Sequence, residues 1–226
     1  MRPTIWRMNK IELIIGNKNY SSWSLRPWIL LKNKNIPFVE TRIPLYQEGS
    51  HEELLLYSDT ALVPVANFGT TRVWDSLAIC ETLAELYPDK QCWPDDPSER
   101  AIARSISSEM HSGFFELRNT LPMNCRQNMV YSKIGSKLQS DISRIQNIWT
   151  ICREKNEGAG DFLFGEFTIA DAMFAPVVLR FNSYGVKSAK PVRAYMANML
   201  ALPELTDWIA AGQAEVEHVL HYDEPA

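Results

Sequence analysis

Between Pro88 and Pro97 lie three prolines and three aspartates in ten residues, and the hydrophobic pattern changes period across them. Upstream, short apolar runs of strand length alternate with amphipathic ones. Downstream, every apolar spacing is helical. A chain divided in this way buries itself as a small strand-and-helix layer followed by a bundle of helices. The reading is residues 10–88 as an α/β domain, 89–97 as a linker and 98–226 as an all-α domain.

In the upstream part, Ile11, Leu13, Ile14 and Ile15 mark a buried strand, and Ile29, Leu30 and Leu31 lie in the helix that follows. Ser21, Ser22 and Ser24 therefore sit where a strand hands over to a helix. Such a point exposes unpaired N–H groups and the positive end of the helix dipole. It suits a bound anion, and it equally suits serines that merely cap the helix. Pro27 fits the first turn, where its missing N–H is not needed, and this places the N-cap near Ser22 to Ser24. Residues 36–43 read as a turn into a second strand, and 44–60 as loop with a short, irregular helix. Residues 63–68 and 71–74 form two further strands around the Gly69-Thr70 turn. From Ser76 the period is helical, with Ile79, Cys80, Leu83, Ala84 and Tyr87 on one face, until Pro88. The order is βαβ, a loop, then ββα.

Downstream, Ile102, Ile106, Met110, Phe114, Leu117 and Leu121 form one helical stripe closed by Pro122. Ile134, Leu138, Ile142, Ile145, Trp149 and Cys152 form a second, closed by Gly158 and Gly160. Residues 168–184 are apolar on nearly every face and read as the buried centre of the bundle, which residues 192–200 and 205–220 complete. Thr168 and Asp171 fit the [ST]-x-x-[DE] capping pattern, which contributes on the order of 1 kcal/mol. Asp171 thus reads as a structural cap rather than a catalytic acid.

Composition narrows the function. With 226 residues, 46% hydrophobic and 22% charged, the chain is an ordinary globular one. A net charge of −4 argues against nucleic acid as a partner. No apolar run approaches the roughly 18 residues that cross a bilayer. The leader Met1-Arg2-Pro3-Thr4-Ile5-Trp6-Arg7 is basic but has no apolar core, so it is not a secretion signal, and Met8 is a second candidate start. Cys80, Cys92, Cys125 and Cys152 are scattered without metal-ligand spacing, which fits free thiols in a reducing cytoplasm.

The element order resembles the cytosolic glutathione transferases over almost the whole chain, from Ile11 to about Leu220. Ser21-Ser22-Trp23-Ser24-Leu25-Arg26 is similar to the serine motif of the zeta-type and related serine-using classes. Leu62-Val63-Pro64-Val65 is similar to the family's cis-proline turn, and Asp75-Ser76-Leu77-Ala78-Ile79 to its acidic-Ser-x-Ala-Ile glutathione site. Phe162-Leu163-Phe164-Gly165 with Thr168-Ile169-Ala170-Asp171 resembles the hallmark of its helical domain. The resemblance implies a serine-type bacterial member with a thioredoxin-like N-terminal domain (βαβ-ββα, mixed four-stranded sheet) and an all-helical C-terminal domain. It further implies glutathione as co-substrate, no metal, a homodimer and a cytoplasmic location.

A free thiol titrates near about 8.5, so little thiolate exists at neutral pH. Lowering that value by about two units takes roughly 2.7 kcal/mol of preference for the anion. One charge-assisted hydrogen bond supplies about 1.5–3 kcal/mol and a helix N-terminus roughly 0.3–1, so one serine at a helix start is enough. By the resemblance the activating residue is Ser21, five residues before Arg26; its neighbour Ser22 stays open, and Ser24 reads as a cap. Val63-Pro64 is either an ordinary strand start or the cis turn that pairs with the cysteine backbone of glutathione. Asp75 and Ser76 either cap the next helix or, as the resemblance implies, hold the γ-glutamyl group. No acid stands at the third helical position to close that helix start from within. Leu62 occupies the place where relatives carry a lysine or glutamine, leaving the glycyl carboxylate to Gln47 or His51.

The second substrate is expected between the domains, against Met110, His111, Phe114, Phe115 and Arg118. These form either an apolar wall with one cation, fit for a hydrophobic electrophile, or a plain core edge with solvated polar residues. His218 and His221 read as surface residues. Trp23 stands where zeta-type isomerases carry a cysteine, and Ser183 aligns near their substrate-carboxylate arginine; both departures count against a maleylacetoacetate-isomerase assignment. The absence of cysteine from the serine motif counts against omega- and beta-type thiol chemistry. The expected function is that of a glutathione transferase whose serine-held thiolate attacks an electrophilic small molecule. The alternatives are a non-catalytic partner-binding module of the same fold, or a glutathione-dependent isomerase, lyase or dehalogenase.

Overall fold

The computed structural model describes residues 10–223; the leader, the two candidate starts and the last three residues lie outside them. β1 (Ile11–Ile15) leads into α1 (Ser22–Asn33), β2 (Phe38–Arg42), the short α2 (Ser50–Leu55), the hairpin β3 (Val65–Phe68) and β4 (Thr71–Trp74), and α3 (Ser76–Leu86). The sheet order is β2-β1-β3-β4, with β1 parallel to β2 and antiparallel to β3, and β3 antiparallel to β4. This is the mixed, thioredoxin-like βαβ–ββα sheet that the resemblance implies. β1 is buried on both faces: Leu13 and Ile15 join the main core with Leu25 and Ile29 of α1. Ile14 packs with Ile43, Leu54 and Val65 in a smaller cluster on the other side.

A turn at Pro88–Lys90 leads to the helices α4 (Pro97–Ser112), α5 (Phe115–Thr120), α6 (Ser136–Lys155), α7 (Ile169–Ser183), α8 (Lys190–Leu200), α9 (Pro203–Ala214) and the single turn α10 (Leu220–Asp223). α7 is buried along nearly its whole length and packs against α1, α4 and α8. One continuous core therefore joins Leu13 and Leu25 to Phe174, Trp149 and Trp208. Asp96 caps α4 by accepting from the Glu99 amide at 2.8 Å, with Pro97 at the first helical position. Thr168 and Asp171 form the capping box on α7.

Two expectations need correction. Ser21, not a residue between Ser22 and Ser24, is the N-cap of α1, and Pro27 is inside the helix rather than in its first turn. The serine hydrogen bonds fix the start: Ser21 Oγ accepts from the Ser24 amide at 3.3 Å, and Ser24 Oγ accepts from the amide of Gly16, just after β1, at 3.1 Å. Second, the stripe from Ile102 to Leu121 is not one helix. The chain breaks at Gly113, where a β-carbon would sit 2.9 Å from the Glu109 carbonyl oxygen, and Phe114 follows at φ 59°. Ile102 is 49% exposed, while Ile106, Met110, Phe114, Leu117 and Leu121 are buried. Phe114 reaches the core from the turn, so the apolar spacing runs on across the break.

Candidate functional site

The start of α1 is tied down from three directions. Ser21 Oγ donates to Ser24 Oγ at 2.7 Å, which anchors the cap to the end of β1. The preceding loop gives its Lys18 and Asn19 amides to the Glu215 carboxylate at 2.7 and 3.1 Å. Asn19 in turn accepts from the Cys125 and Arg126 amides at 3.3 and 3.2 Å. Gly212 of α9 lies so close that a β-carbon there would be 2.9 Å from the Asn19 nitrogen. The end of β1, residues 125–126 and residues 212–215 thus hold the serines in place.

Ser21 and Ser22 line a cavity of 490 Å³. One wall carries Tyr46, Gln47, His51, Leu62 and Val63; the other carries Arg118, Asn119, Met123 and Arg180; His221 and Tyr222 also line it. A second cavity of 340 Å³ shares Trp23, Leu62 and Val63 with the first and is completed by Pro64, Trp74, Asp75, Ser76 and His111. The Val63-Pro64 peptide is cis. The segment after α9 closes one side: Tyr20 Oη donates to Asp223 Oδ1 at 2.8 Å, its ring stacks on Tyr222 at 5.5 Å, and Tyr46 Oη lies 3.1 Å from Tyr222 Oη.

Asp75 sits at φ 75° and caps α3 with one carboxylate oxygen, accepting from the Leu77 and Ala78 amides at 2.8 and 3.3 Å. Its other oxygen pairs with His111 Nε2 at 3.1 Å. The start of α3 is therefore capped from within by Asp75 itself, contrary to the expectation of an open helix end. Ser76 is buried and accepts from Arg26 Nη1 at 3.4 Å. Burial lowers the His111 imidazole, with Arg26 and Arg118 acting the same way and Asp75 opposing, so the ring is neutral at pH 7.

Three arginines converge here, each bonded to neutral acceptors. Arg118 donates to the carbonyls of Met110, His111 (3.3 Å) and Gly113 (2.9 Å), the unpaired end of α4. Arg180 donates from Nη1 to the carbonyls of Leu121 and Arg118 (3.3 Å) at the end of α5, and from Nη2 to Ser22 Oγ at 3.4 Å. Arg26 and Arg118 hold Trp23 between them, their guanidinium carbons 4.3 and 4.7 Å from its ring centre. Burial and then the charge of Arg118 bring Arg180 down to about 10, and burial with Arg118 and Arg180 pushes Arg26 well down. The site is electropositive.

Of the residues singled out from sequence, Ser21, Ser22, Gln47, His51, Val63 and Arg118 line the first cavity, and Val63, Pro64, Asp75, Ser76 and His111 the second. His111 thus lies beside Asp75 in the second cavity. Met110 and Phe114 are core residues and line neither cavity. His221 and Tyr222 line the first cavity, although His221 read as plain surface. Arg26 reads from sequence only as the end of the serine motif, and Arg180 escaped notice. Arg180 had one signal: with Asp171 it is one of two charged residues on an otherwise apolar helix. Burial pushes the thiols up, Cys125 to about 12 and Cys152 to about 11, which makes them inert rather than nucleophilic. Among the described residues no cluster of histidine, cysteine and acidic side chains is placed to hold a metal, and no helix is long and apolar enough to cross a membrane.

Comparison with known proteins agrees with the fold. A Caenorhabditis elegans protein named "Probable maleylacetoacetate isomerase" is 28% identical over 167 residues, 74% of this chain and 77% of its own length. "Glutathione S-transferase 1" of Dianthus caryophyllus is 27% identical over 188 residues, 80% of this chain and 82% of its own. A crystal structure of a glutathione transferase homologue from Burkholderia, with bound glutathione, superposes with a TM-score of 0.69 at 22% identity, covering 92% of this chain and 100% of the other. The family model for the glutathione S-transferase N-terminal domain matches residues 20–86, and those residues carry the serines, the cis turn and Asp75. Residues 20–86 match the glutathione S-transferase N-terminal domain, and the chain as a whole has the fold of the glutathione transferases.

Proposed function

We propose that this chain is a glutathione-dependent enzyme that holds the glutathione thiolate at Ser21 or Ser22 and directs it at an electrophilic small molecule. The observation that carries the reading is the placement of both hydroxyls at the N-terminus of α1, on the wall of a cavity that also has the Val63 backbone and the Arg180 charge. Helix N-terminus, hydroxyl and buried cation all favour an anion at one point. Residues 10–88 then bind glutathione, along Val63 and Pro64, with Asp75 and Ser76 at the γ-glutamyl end and Gln47 and His51 at the glycyl end. Residues 98–223 supply the electrophile side, and the working form is a cytoplasmic homodimer.

A second reading is a glutathione-dependent isomerase acting on an acidic substrate. Arg118 and Arg180 face the cavity with no carboxylate hydrogen-bonded to either guanidinium, although the charge of Asp141 acts on Arg118, and so little carboxylate compensation suits an anionic ligand. A relative named as a maleylacetoacetate isomerase favours the same reading. Arg180 lies on the face of α7 one turn before Ser183, so the missing arginine at Ser183 is no longer an argument against it.

The test is calorimetric titration with glutathione, followed by the pH dependence of the bound thiol's ultraviolet thiolate band in wild type and in the Ser21→Ala/Ser22→Ala double variant. Binding, with a thiol pKa that rises in the double variant, supports the reading. No binding favours a non-catalytic module. Separate assays with a chloronitrobenzene and with a cis-unsaturated diketo acid then divide the transferase from the isomerase.

A further inference from the structure

We propose that Arg180 is a positioning residue for the glutathione sulfur: it occupies the acceptor side of the Ser22 hydroxyl and so aims that hydroxyl's proton into the cavity. Ser22, rather than Ser21, is then the main donor to the sulfur. The inference rests on the reading that this cavity holds glutathione.

A serine hydroxyl has one proton to give and two lone pairs to receive. For Ser21 both roles are spent inside the cap of α1, since it donates to Ser24 Oγ at 2.7 Å and accepts from the Ser24 amide at 3.3 Å. Ser24 Oγ is held in turn by the Gly16 amide. Redirecting the Ser21 proton would take the donor from a buried network that fastens α1 to β1, and buried partners left unpaired are costly.

Ser22 is placed differently. Its Oγ faces Arg180 Nη2 at 3.4 Å, and a guanidinium has donors only, so the serine can accept from it but never donate to it. The serine proton is left for the cavity that Ser22 lines. Both side chains are buried, Ser22 at 7% and Arg180 at 6% exposure. Arg180 is fixed from behind, because its Nη1 caps the end of α5 through the Leu121 and Arg118 carbonyls. The groups whose charge acts most on it are Arg118 of α5, Tyr184 just after α7 and Tyr222 of α10, Arg26 of α1 feels its charge in turn, and no carboxylate is among them. A cation that hydrogen-bonds to the back of a hydroxyl strengthens the bond the hydroxyl makes in front, above all to an anion.

The experiment follows the thiolate band of bound glutathione against pH in six proteins: wild type, Ser21→Ala, Ser22→Ala, Arg180→Met, Arg180→Lys and the Ser22→Ala/Arg180→Met double variant. Ser22→Ala and Arg180→Met are each expected to raise the thiol pKa by about one unit, roughly a tenfold loss of thiolate below it. Arg180→Lys keeps part of the effect, and Ser21→Ala raises the pKa less than Ser22→Ala does. In the Ser22→Ala background, Arg180→Met adds little, because the serine it acts through is gone. An unchanged pKa in Arg180→Met overturns the proposal, as does a larger shift from Ser21→Ala than from Ser22→Ala. If Arg180→Met fails to fold by circular dichroism, a wild-type pKa in Arg180→Lys together with one in Ser22→Ala overturns it equally. A wild type that binds glutathione with an ionised thiol yet shows these contrary shifts removes the inference alone; a wild type that binds none removes the underlying reading as well.

Discussion

His111 Nε2 lies 3.1 Å from Asp75 Oδ2, so the last turn of α4 is hydrogen-bonded to the residue that caps α3. The carboxylate divides its work, one oxygen for the helix start and the other for the imidazole. His111 also meets Trp23 edge-on at 5.3 Å between ring centres. The second cavity is thus closed on one side by a side chain from the helical part of the chain.

His111→Gln is expected to weaken glutathione binding a few-fold by calorimetry while α3 stays intact, because the Leu77 and Ala78 amides keep their acceptor. The pH dependence has a definite sign. Burial, then Arg26 and Arg118, place the folded-state value below the ordinary one of about 6.5, so the unfolded chain binds the extra proton. The contribution is complete above about 6.5 and is lost as the pH falls through the depressed folded-state value. Urea midpoints at pH 7 and pH 5 should therefore fall further in the wild type than in His111→Gln.

Asp171 behaves in the opposite sense. It accepts from the Leu163 amide at 3.0 Å and the Thr168 amide at 2.9 Å, yet full burial outweighs those bonds and pushes its carboxyl up to about 6. The folded chain keeps a proton that the unfolded chain releases near about 3.9, so this group's contribution declines as the pH rises from about 4 through about 6. Asp171→Asn cannot ionise. Its destabilisation, about 1–3 kcal/mol from the damaged cap, should be larger at pH 4.5 than at pH 7 by urea denaturation.

Gly212→Ala tests how the serine loop is held. The added methyl would meet backbone atoms of Lys18 and Asn19 at 3.0 and 2.9 Å, and backbone cannot swing away as a side chain can. The expected cost is about 1–3 kcal/mol, read as a lower melting temperature. Glutathione affinity should fall with it, since the loop leads directly to Ser21.

Trp23→Leu removes the ring between Arg26 and Arg118. Each cation–π contact contributes about 0.5–1 kcal/mol at exposed sites and more when desolvated. A loss of about 1–3 kcal/mol in urea unfolding is expected, and added chloride should offset part of it by screening the two guanidinium groups.

Local chemistry was legible where the partners are close in sequence. Thr168 and Asp171 are three residues apart and cap α7 as their spacing dictates. The strands of the sheet likewise lie in short, self-contained runs, whereas the cis bond at Val63-Pro64 was one of two readings and followed from the resemblance. Pro27 misled because proline usually marks a first turn, whereas the serine network sets this helix start. The break at Gly113 was hidden because Phe114 continues the apolar spacing from a left-handed turn. Arg118 and Arg180 could not be paired with the serines, since the end of α5 brings them to α1 across 158 residues in the case of Arg180 and Ser22. The pairing of His111 with Asp75 was not legible, because helical spacing gives a face and not a neighbour.

The unbroken interior from Leu13 to Trp208 has a mechanical consequence. With α1 seated on both the sheet and α7, the serines and Arg180 share one continuous interior. The segment after α9 is tied to that interior by Glu215, Glu217 and Asp223, whose partners are Lys18, Asn19, Arg42, Arg126, Tyr20 and Asn124. A substitution at Glu215 or Asp223, at the far end of the chain, is thereby expected to be felt at the serine loop.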